Sequence, residues 1–207
     1  VVRTAQAEVT ARHVVLGCDG YLGRLEPRIA ARIMPINNFI IATAPLGAER
    51  ARELIRDDVC VHDTRFVVNY FRLSDDNRLL FGGGESYGDA FPADIPAFVR
   101  PRMEAVFPQL RGVKITHGWG GTLAITMSRL PMFEEIAPGV LNASGYSGSG
   151  VALATMAGKL LAEAIKGDRA RFDVMRDLPT PTFPGGAAMR KPTLVAAMLL
   201  ARLRDAL

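Results

Sequence analysis

The sequence predicts an α+β fold, an antiparallel or mixed sheet carrying helices, and three stretches of the 207 residues carry that prediction. Residues 66–73 and 78–81 are rich in β-branched and aromatic side chains and are joined by Ser74-Asp75-Asp76-Asn77, the signature of a hairpin. Val113, Ile115, His117 and Trp119 alternate with Lys114, Thr116 and Gly118, the period of two that marks a strand with one buried and one polar face. Val140-Leu141-Asn142-Ala143 leads through Ser144-Gly145-Tyr146-Ser147-Gly148-Ser149-Gly150 into a proline-free stretch at 151–165, which reads as strand, glycine-rich turn and helix.

The remaining elements follow in chain order. Val14-Val15-Leu16 is a short apolar run ending in Gly17-Cys18-Asp19-Gly20, the pattern of a buried strand entering a tight turn. Residues 33–43 form another β-branched run. Asp94 stands where it can cap a helix with Pro96 in its first turn, and Ile95, Phe98, Val99, Met103 and Val106 recur near a 3.6-residue period that ends before Pro108. In the helix at 151–165, Lys159, Glu163 and Lys166 mark a solvated stripe, Ala152, Met156, Leu160, Leu161 and Ala164 are available for packing, and Gly167 supplies the stop. Gly158 within it permits close approach of another backbone. A loop with Pro179, Pro181, Pro184 and Gly185-Gly186 precedes a last apolar segment at 193–207.

Composition excludes several classes. The 25 basic and 21 acidic residues leave a net charge of +4, with the arginines dispersed, so a nucleic-acid partner is not indicated. Cys18 and Cys60 are far apart and lack ligand-spaced histidines, which argues against a zinc site or a disulfide framework and for a reducing cytoplasm. The apolar run at 195–203 is interrupted by Arg202 and is shorter than the roughly 20 residues of a membrane span.

The candidate chemistry centres on Gly145 to Gly150. Glycines let backbone N–H groups converge, and a helix N-terminus adds about half a positive charge, so an anion or a polarised cofactor carbonyl suits this turn. It is neither a full GxGxxG nor a P-loop, and a purely structural turn is the competing reading. Ser147 lacks the Gly-x-Ser-x-Gly context of a hydrolase nucleophile, because position 149 is serine. His13, His62 and His117 are isolated and read as structural or surface residues, His117 being of most interest as a neighbour of Trp119. Tyr70 and Arg72 share a strand face and suit a small polar or carboxylate-bearing ligand, or else form an ordinary cross-strand surface pair. Trp119-Gly120-Gly121 either leaves a flat cofactor room beside the backbone or marks a core tryptophan at a bulge.

Taken in order, these pieces resemble the C-terminal half of the D-amino-acid-oxidase-like flavin amine oxidases, most closely the gamma-glutamylputrescine oxidase branch. The resemblance is carried by residues 11–20, Pro35 to Leu46 (PINNFIIATAPL), Tyr70-Phe71-Arg72-Leu73, Arg78 to Gly84 (RLLFGGG), Phe107-Pro108-Gln109-Leu110, Trp119-Gly120-Gly121, Arg129-Leu130-Pro131, the turn at 145–150 and Phe183-Pro184-Gly185-Gly186. It implies an FAD-dependent oxidoreductase that converts an amine C–N bond to an imine, which water hydrolyses, with oxygen or another acceptor taking the electrons. It also implies a Rossmann-type FAD-binding part and a substrate part built on a large sheet. Residues 1–30 then correspond to a remnant of the FAD-binding domain, 31–128 to the substrate domain, 129–170 to a return segment with the glycine-rich turn and helix, and 171–207 to a tail. In such enzymes the turn runs along the flavin and the helix start faces the pyrimidine carbonyl. The cofactor is thereby assigned Gly17, Trp119, Gly120, Arg129, Gly145, Tyr146, Ser147, Gly148, Ser149, Gly150 and Val151, and the substrate Tyr70, Arg72 and Trp119. No residue is named as general base, and no metal is implied.

Two positions depart from the family pattern. Ser149 stands where many relatives have histidine, and Val151-Ala152 stand where sarcosine-oxidase-like members place a carboxylate-binding lysine, which favours an amine or gamma-glutamyl amine over an N-methyl amino acid. The chain opens Val1-Val2-Arg3 without an initiator methionine, and nothing before Val14 supplies a GxGxxG segment. An incomplete portion of an oxidase is therefore expected. A non-catalytic small-molecule-binding or interaction domain derived from such an enzyme is the alternative, and the oligomeric state is left open.

Overall fold

In the computed structural model, two separate sheets account for most of the strands, and each gathers its own core. The structure describes residues 1–207 except 66, 87–89, 187–188, 190–191, 193–194 and 197–207. In chain order the elements are β1 (Val2–Arg3), β2 (Glu8–Val9), β3 (Val14–Leu16), α1 (Pro27–Ala30), β4 (Met34–Thr43), α2 (Ala48–Leu54), β5 (Val61–His62), β6 (Tyr70–Leu73), β7 (Leu79–Ser86), α3 (Ile95–Val106), β8 (Ile115–Ile125), β9 (Met132–Ala137), β10 (Val140–Ser144), α4 (Gly150–Ile165) and α5 (Ala170–Arg176). The chain divides into two units, residues 1–35 with 123–191, and residues 36–122 with 192–207. The α+β class expected from the sequence is what the structure has, with antiparallel and mixed sheets.

The first unit is built on the sheet β3-β10-β9, in which β10 runs parallel to β3 and antiparallel to β9. As the central strand, β10 is buried along nearly all its length, and its polar residues answer one another: Asn142 Nδ2 donates to Ser144 Oγ at 3.1 Å. Leu141 and Ala143 join Phe133, Ala157, Leu160 and Phe172 in a core between the sheet and α4 and α5. The strand expected to be buried at 14–16 forms as β3, yet Val15 is 45% exposed, because β3 has β10 on one side and no neighbour on the other among the described residues. In α4 the packing residues are Ala157, Leu160, Leu161 and Ala164, whereas Ala152 and Met156, expected to pack, lie off that arc and are exposed. No described atom comes within 4 Å of where a Cβ would stand on Gly158, so the expected close backbone approach is not made here.

The second unit is built on the sheet β5-β6-β7-β4-β8. One face packs on α3 through Phe39, Ile41, Phe81, Val99, Met103 and Phe107. Phe71 stacks on Phe81 with centroids 5.7 Å apart and meets Phe107 edge-on at 4.9 Å. The expected hairpin is β6–β7, turning at Asn77 with φ 60°. Its first strand begins at Tyr70, later than expected, because Asp63 holds the preceding segment in a side-chain turn, accepting from the Asn69 N–H at 3.0 Å and from Nδ2 at 2.7 Å. Phe66, at the expected start of that run, lies outside the described residues, as does the apolar segment 193–207 apart from residues 192, 195 and 196 nearby or within it.

Helix α3 occupies the expected span, with Asp94 accepting from the Ala97 N–H at 2.8 Å, although Val106 is 37% exposed and does not join the buried arc. The alternation at 113–119 forms a strand from Ile115, and Val113 and Ile115 pack against the helix-side core as expected, but the pattern does not hold beyond them. Gly118 and Gly120 face the helix side, where added Cβ atoms would meet Pro96 at 2.8 Å and Phe39 at 2.6 Å, so His117 and Trp119 are exposed on the other face. Among the described residues no helix is long and apolar enough to cross a membrane.

Removal of the α3 cap gives a direct check on this architecture. Asp94→Ala is expected to lower stability by about 1 kcal/mol in urea unfolding, and Asp94→Asn to restore most of it.

Candidate functional site

In the first unit, two loops leave the carboxyl ends of adjacent parallel strands, the position at which open α/β sheets bind ligands. After β3 comes Gly17-Cys18-Asp19, and after β10 the turn Gly145 to Ser149. The two are tied directly, because the Asp19 carboxylate accepts the Gly145 N–H at 2.9 Å. Gly145 has φ 74°, and a Cβ there would lie 2.5 Å from Thr126 Cγ2, so only glycine fits. Gly17 has nothing within 4 Å of a Cβ position.

Ser147 fastens the same turn from the other side. Its N–H donates to the Ala124 carbonyl at 3.0 Å, its Oγ accepts the Thr126 N–H at 3.2 Å, and Oγ donates to the Gly145 carbonyl at 3.2 Å. These bonds hold Ser147 at φ 51°, an uncommon conformation for a residue with a side chain. None of its partners is a histidine, and His62 and His117 bond only to their chain neighbours, at Asp63 O and Thr116 Oγ1. Among the described residues Ser147 therefore has no histidine partner to act as its base. Tyr146 donates its hydroxyl to the Ala143 carbonyl at 3.0 Å, and burial, reinforced by the Asp19 charge, pushes its phenol up to about 12.

What remains open in the turn is its outward row of amides. The Ser149 side chain does not cap α4, and no described acceptor meets the N–H groups of Gly148, Gly150, Val151 or Ala152. The first turn holds no acidic residue, and Val151 is 96% exposed. Gly148, at φ 95°, leaves free space where a side chain would stand. A 16-residue helix thus presents uncapped donors and the positive end of its dipole outward, which fits the polarised carbonyl or anionic group of a cofactor. Arg129 lies in the next turn along, at φ 61°, and Thr126, whose Oγ1 donates to the Leu130 carbonyl at 2.8 Å, joins that turn to Ser147.

In the second unit, Tyr70, Arg72 and Trp119 occupy the sheet face turned away from α3. Tyr70 and Arg72 are neighbours on β6, whereas β7 and β4 stand between them and Trp119, a distance of three interstrand steps or about 14 Å. Trp119 is 43% exposed, which rules out the core-tryptophan reading, and the room beside Gly120 on the helix side is taken by Phe39 and not by a ligand. Among the described residues no group of three or more His, Cys, Asp or Glu side chains is placed to hold a metal ion.

Sequence reasoning passed over Asp19, Thr126 and Asn38, which accepts a hydrogen bond from Tyr70. Asp19 lies between glycines at the end of an apolar strand, and Asn38 is a polar residue in a β-branched run where asparagine is disfavoured; both were signals available in the sequence.

Residues 1–164 match the family model described as FAD dependent oxidoreductase (DAO). The chain is 42% identical over 208 residues to gamma-glutamylputrescine oxidoreductase of Escherichia coli strain K12, covering all of this chain and 49% of that protein. It is 44% identical over 205 residues to the probable oxidoreductase OrdL of Rhizobium meliloti strain 1021, covering 99% of this chain and 47% of that protein. The chain therefore spans about half the length of the curated relatives it matches. Among solved structures, glycine oxidase from Geobacillus kaustophilus shares the fold with a TM-score of 0.64 at 19% identity, over 84% of this chain and 46% of that one. L-proline dehydrogenase from P. horikoshii does so with a TM-score of 0.60 at 20% identity, over 78% and 44%.

The structural role of Ser147 is open to a simple check. Ser147→Ala is expected to cost about 1–2 kcal/mol in denaturant unfolding through its lost turn bonds. A fluorophosphonate probe is expected to leave Ser147 unlabelled, and labelling there would restore the hydrolase reading.

Proposed function

The chain belongs to the DAO family of FAD-dependent oxidoreductases, and from that membership we propose that it serves the oxidation of an amine C–N bond to an imine that water then hydrolyses. The substrate is an amine or a gamma-glutamyl amine, and oxygen or another acceptor finally receives the electrons. The observation that carries this reading is the uncapped start of α4, where Gly148, Gly150, Val151 and Ala152 direct free N–H groups outward beside the Asp19-anchored turn.

FAD, when bound, supplies the two-electron acceptor. The part of the chain is to bind and orient. The α4 amides would hold the pyrimidine carbonyl oxygen, where their fixed dipoles would favour negative charge on that side of the ring. Gly17, Gly145 to Val151 and Arg129 would line the cofactor, whereas Gly120, which the family resemblance also assigns to it, has its helix-side space filled by Phe39. Tyr70, Arg72 and Trp119 hold the amine. In this assignment residues 1–30 and 129–170 belong to the FAD-binding part, 31–128 to the substrate part and 171–207 to a tail.

The substrate class is supported by Val151-Ala152 replacing a carboxylate-binding lysine, and by the relative named for gamma-glutamylputrescine. Among the described residues no histidine is buried beside the turn, which suits a reaction drawn from the neutral form of the amine. Cys18 and Cys60 are free, as suits a cytoplasmic enzyme.

The complete encoded protein, purified gently with added FAD, is expected to show the visible absorption of an oxidised flavin and to be bleached by its amine under anaerobic conditions. A protein that stays colourless would overturn the proposal. Placement of the cofactor is read by paired substitutions at Gly148. Gly148→Ala and Gly148→Met both carry the strain of φ 95° without β-branching, but methionine alone adds bulk to the open space. The methionine variant is expected to bind FAD at least about tenfold more weakly than the alanine variant, with similar melting temperatures. Equal affinities would move the flavin away from this turn.

A further inference from the structure

The sheet face turned away from α3 has a hydrogen-bond polarity that comes from three strands acting together. Tyr70 on β6 reaches across β7 and donates its hydroxyl proton to Asn38 Oδ1 on β4. The ring crosses β7 at Gly82, where a Cβ would stand 2.1 Å from two of its atoms. The orientation of the Asn38 amide is fixed at its other end, because Nδ2 donates to the Gly84 carbonyl at 3.4 Å and so leaves Oδ1 toward Tyr70. A phenol has one proton to give. With that proton committed to Asn38, the Tyr70 oxygen offers a ligand lone pairs only.

The surrounding charge points the same way. Burial, with the Glu85 carboxylate adding to it, pushes the Tyr70 phenol up to about 12, so the proton stays in place at neutral pH. Glu85 is also the register partner of Asn38 across the β4–β7 ladder. The nearest donor on this face of β6 is Arg72, two residues or about 7 Å along the strand, with Nε donated to the Leu73 carbonyl at 3.0 Å.

We propose that Asn38 makes Tyr70 an acceptor-only subsite, so that this face takes the N–H-bearing cationic end of an alkyl amine and disfavours a carboxylate at the same point. The inference rests on the amine reading above and assigns the end of the ligand that Tyr70 contacts. It reverses the carboxylate preference that the Tyr70–Arg72 pair suggests by itself. Asn38 and Gly82 are positioning residues, acting through Tyr70.

Calorimetric titration of the complete protein with butylammonium and with butanoate, equal in length and opposite in charge, tests the polarity without turnover. The wild type is expected to bind butylammonium at least about tenfold more tightly. Asn38→Leu frees the Tyr70 proton for donation and is expected to reduce that preference about tenfold, whereas Asn38→Asp keeps an acceptor and retains it. Tyr70→Phe is expected to weaken butylammonium about tenfold and leave butanoate unchanged, and it decides the matter if Asn38→Leu does not fold. An unchanged ratio in these variants, tighter or equal binding of butanoate by the wild type, or no binding of either probe would overturn the proposal. A protein that shows the expected polarity yet takes up no FAD would overturn the redox reading alone.

Discussion

Three left-handed residues within four positions, Gly145, Ser147 and Gly148, set the direction in which the chain leaves the central strand β10 and starts α4. Two of the three are glycines, for which such backbone is inexpensive, but Ser147 costs about 1 kcal/mol in this conformation. The cost is offset locally, by the bonds from its Oγ to the Thr126 N–H and the Gly145 carbonyl and by its own N–H to Ala124. Asp19 holds the other end of the turn through the Gly145 N–H. Because these internal bonds consume the amides of residues 145, 147 and 149, the amides left without a described acceptor are those of 148 and 150–152. The donor row of the candidate site is thus a by-product of how the turn is braced.

The second unit solves a different problem with the same residue. A run of three glycines in β7 is unfavourable for a strand taken alone, yet each position meets a neighbour that no side chain could share. Gly82 lies under the Tyr70 ring, Gly83 leaves room for Asn69 Oδ1 at 2.6 Å, and Gly84 bends at φ 82° against Phe98 and Arg102. The register shift between Asn38 and Ile40 falls opposite this run. What the glycines give up in packing is returned as a fixed place for one phenol and one amide on the face opposite the core. That face is where the sequence put substrate residues, and the polarity of the phenol depends on residues of β4 and β7 as much as on β6.

Much of this was legible in the residues themselves. The capped helix at 95–106, the hairpin through Asn77, and the strand, turn and helix at 140–165 all follow from local chemistry that tertiary contacts reinforce. The misreadings share a cause, which is that periodicity says how a segment alternates but not which face is covered. At 113–119 the alternation placed Trp119 inward, but Gly118 and Gly120 are the residues that let Pro96 and Phe39 approach, so the glycines face the helix and the tryptophan faces outward. For 14–16, an apolar run indicated burial, which requires neighbours on both sides, and β3 has one among the described residues. The contacts of Asp19 and Asn38 were illegible for a simpler reason: each partner is distant in sequence, 126 residues away for Asp19 and 32 for Asn38.

The proposed flavin position rests on the α4 amides, since the family relation implies FAD and the braced turn leaves those amides without an acceptor among the described residues. A crystal structure of the complete protein with FAD bound tests it most directly. A flavin carbonyl oxygen is expected within roughly 2.7–3.2 Å of one or more of the N–H groups of Gly148, Gly150, Val151 and Ala152. A flavin bound elsewhere, with those amides capped by a protein side chain, would contradict it.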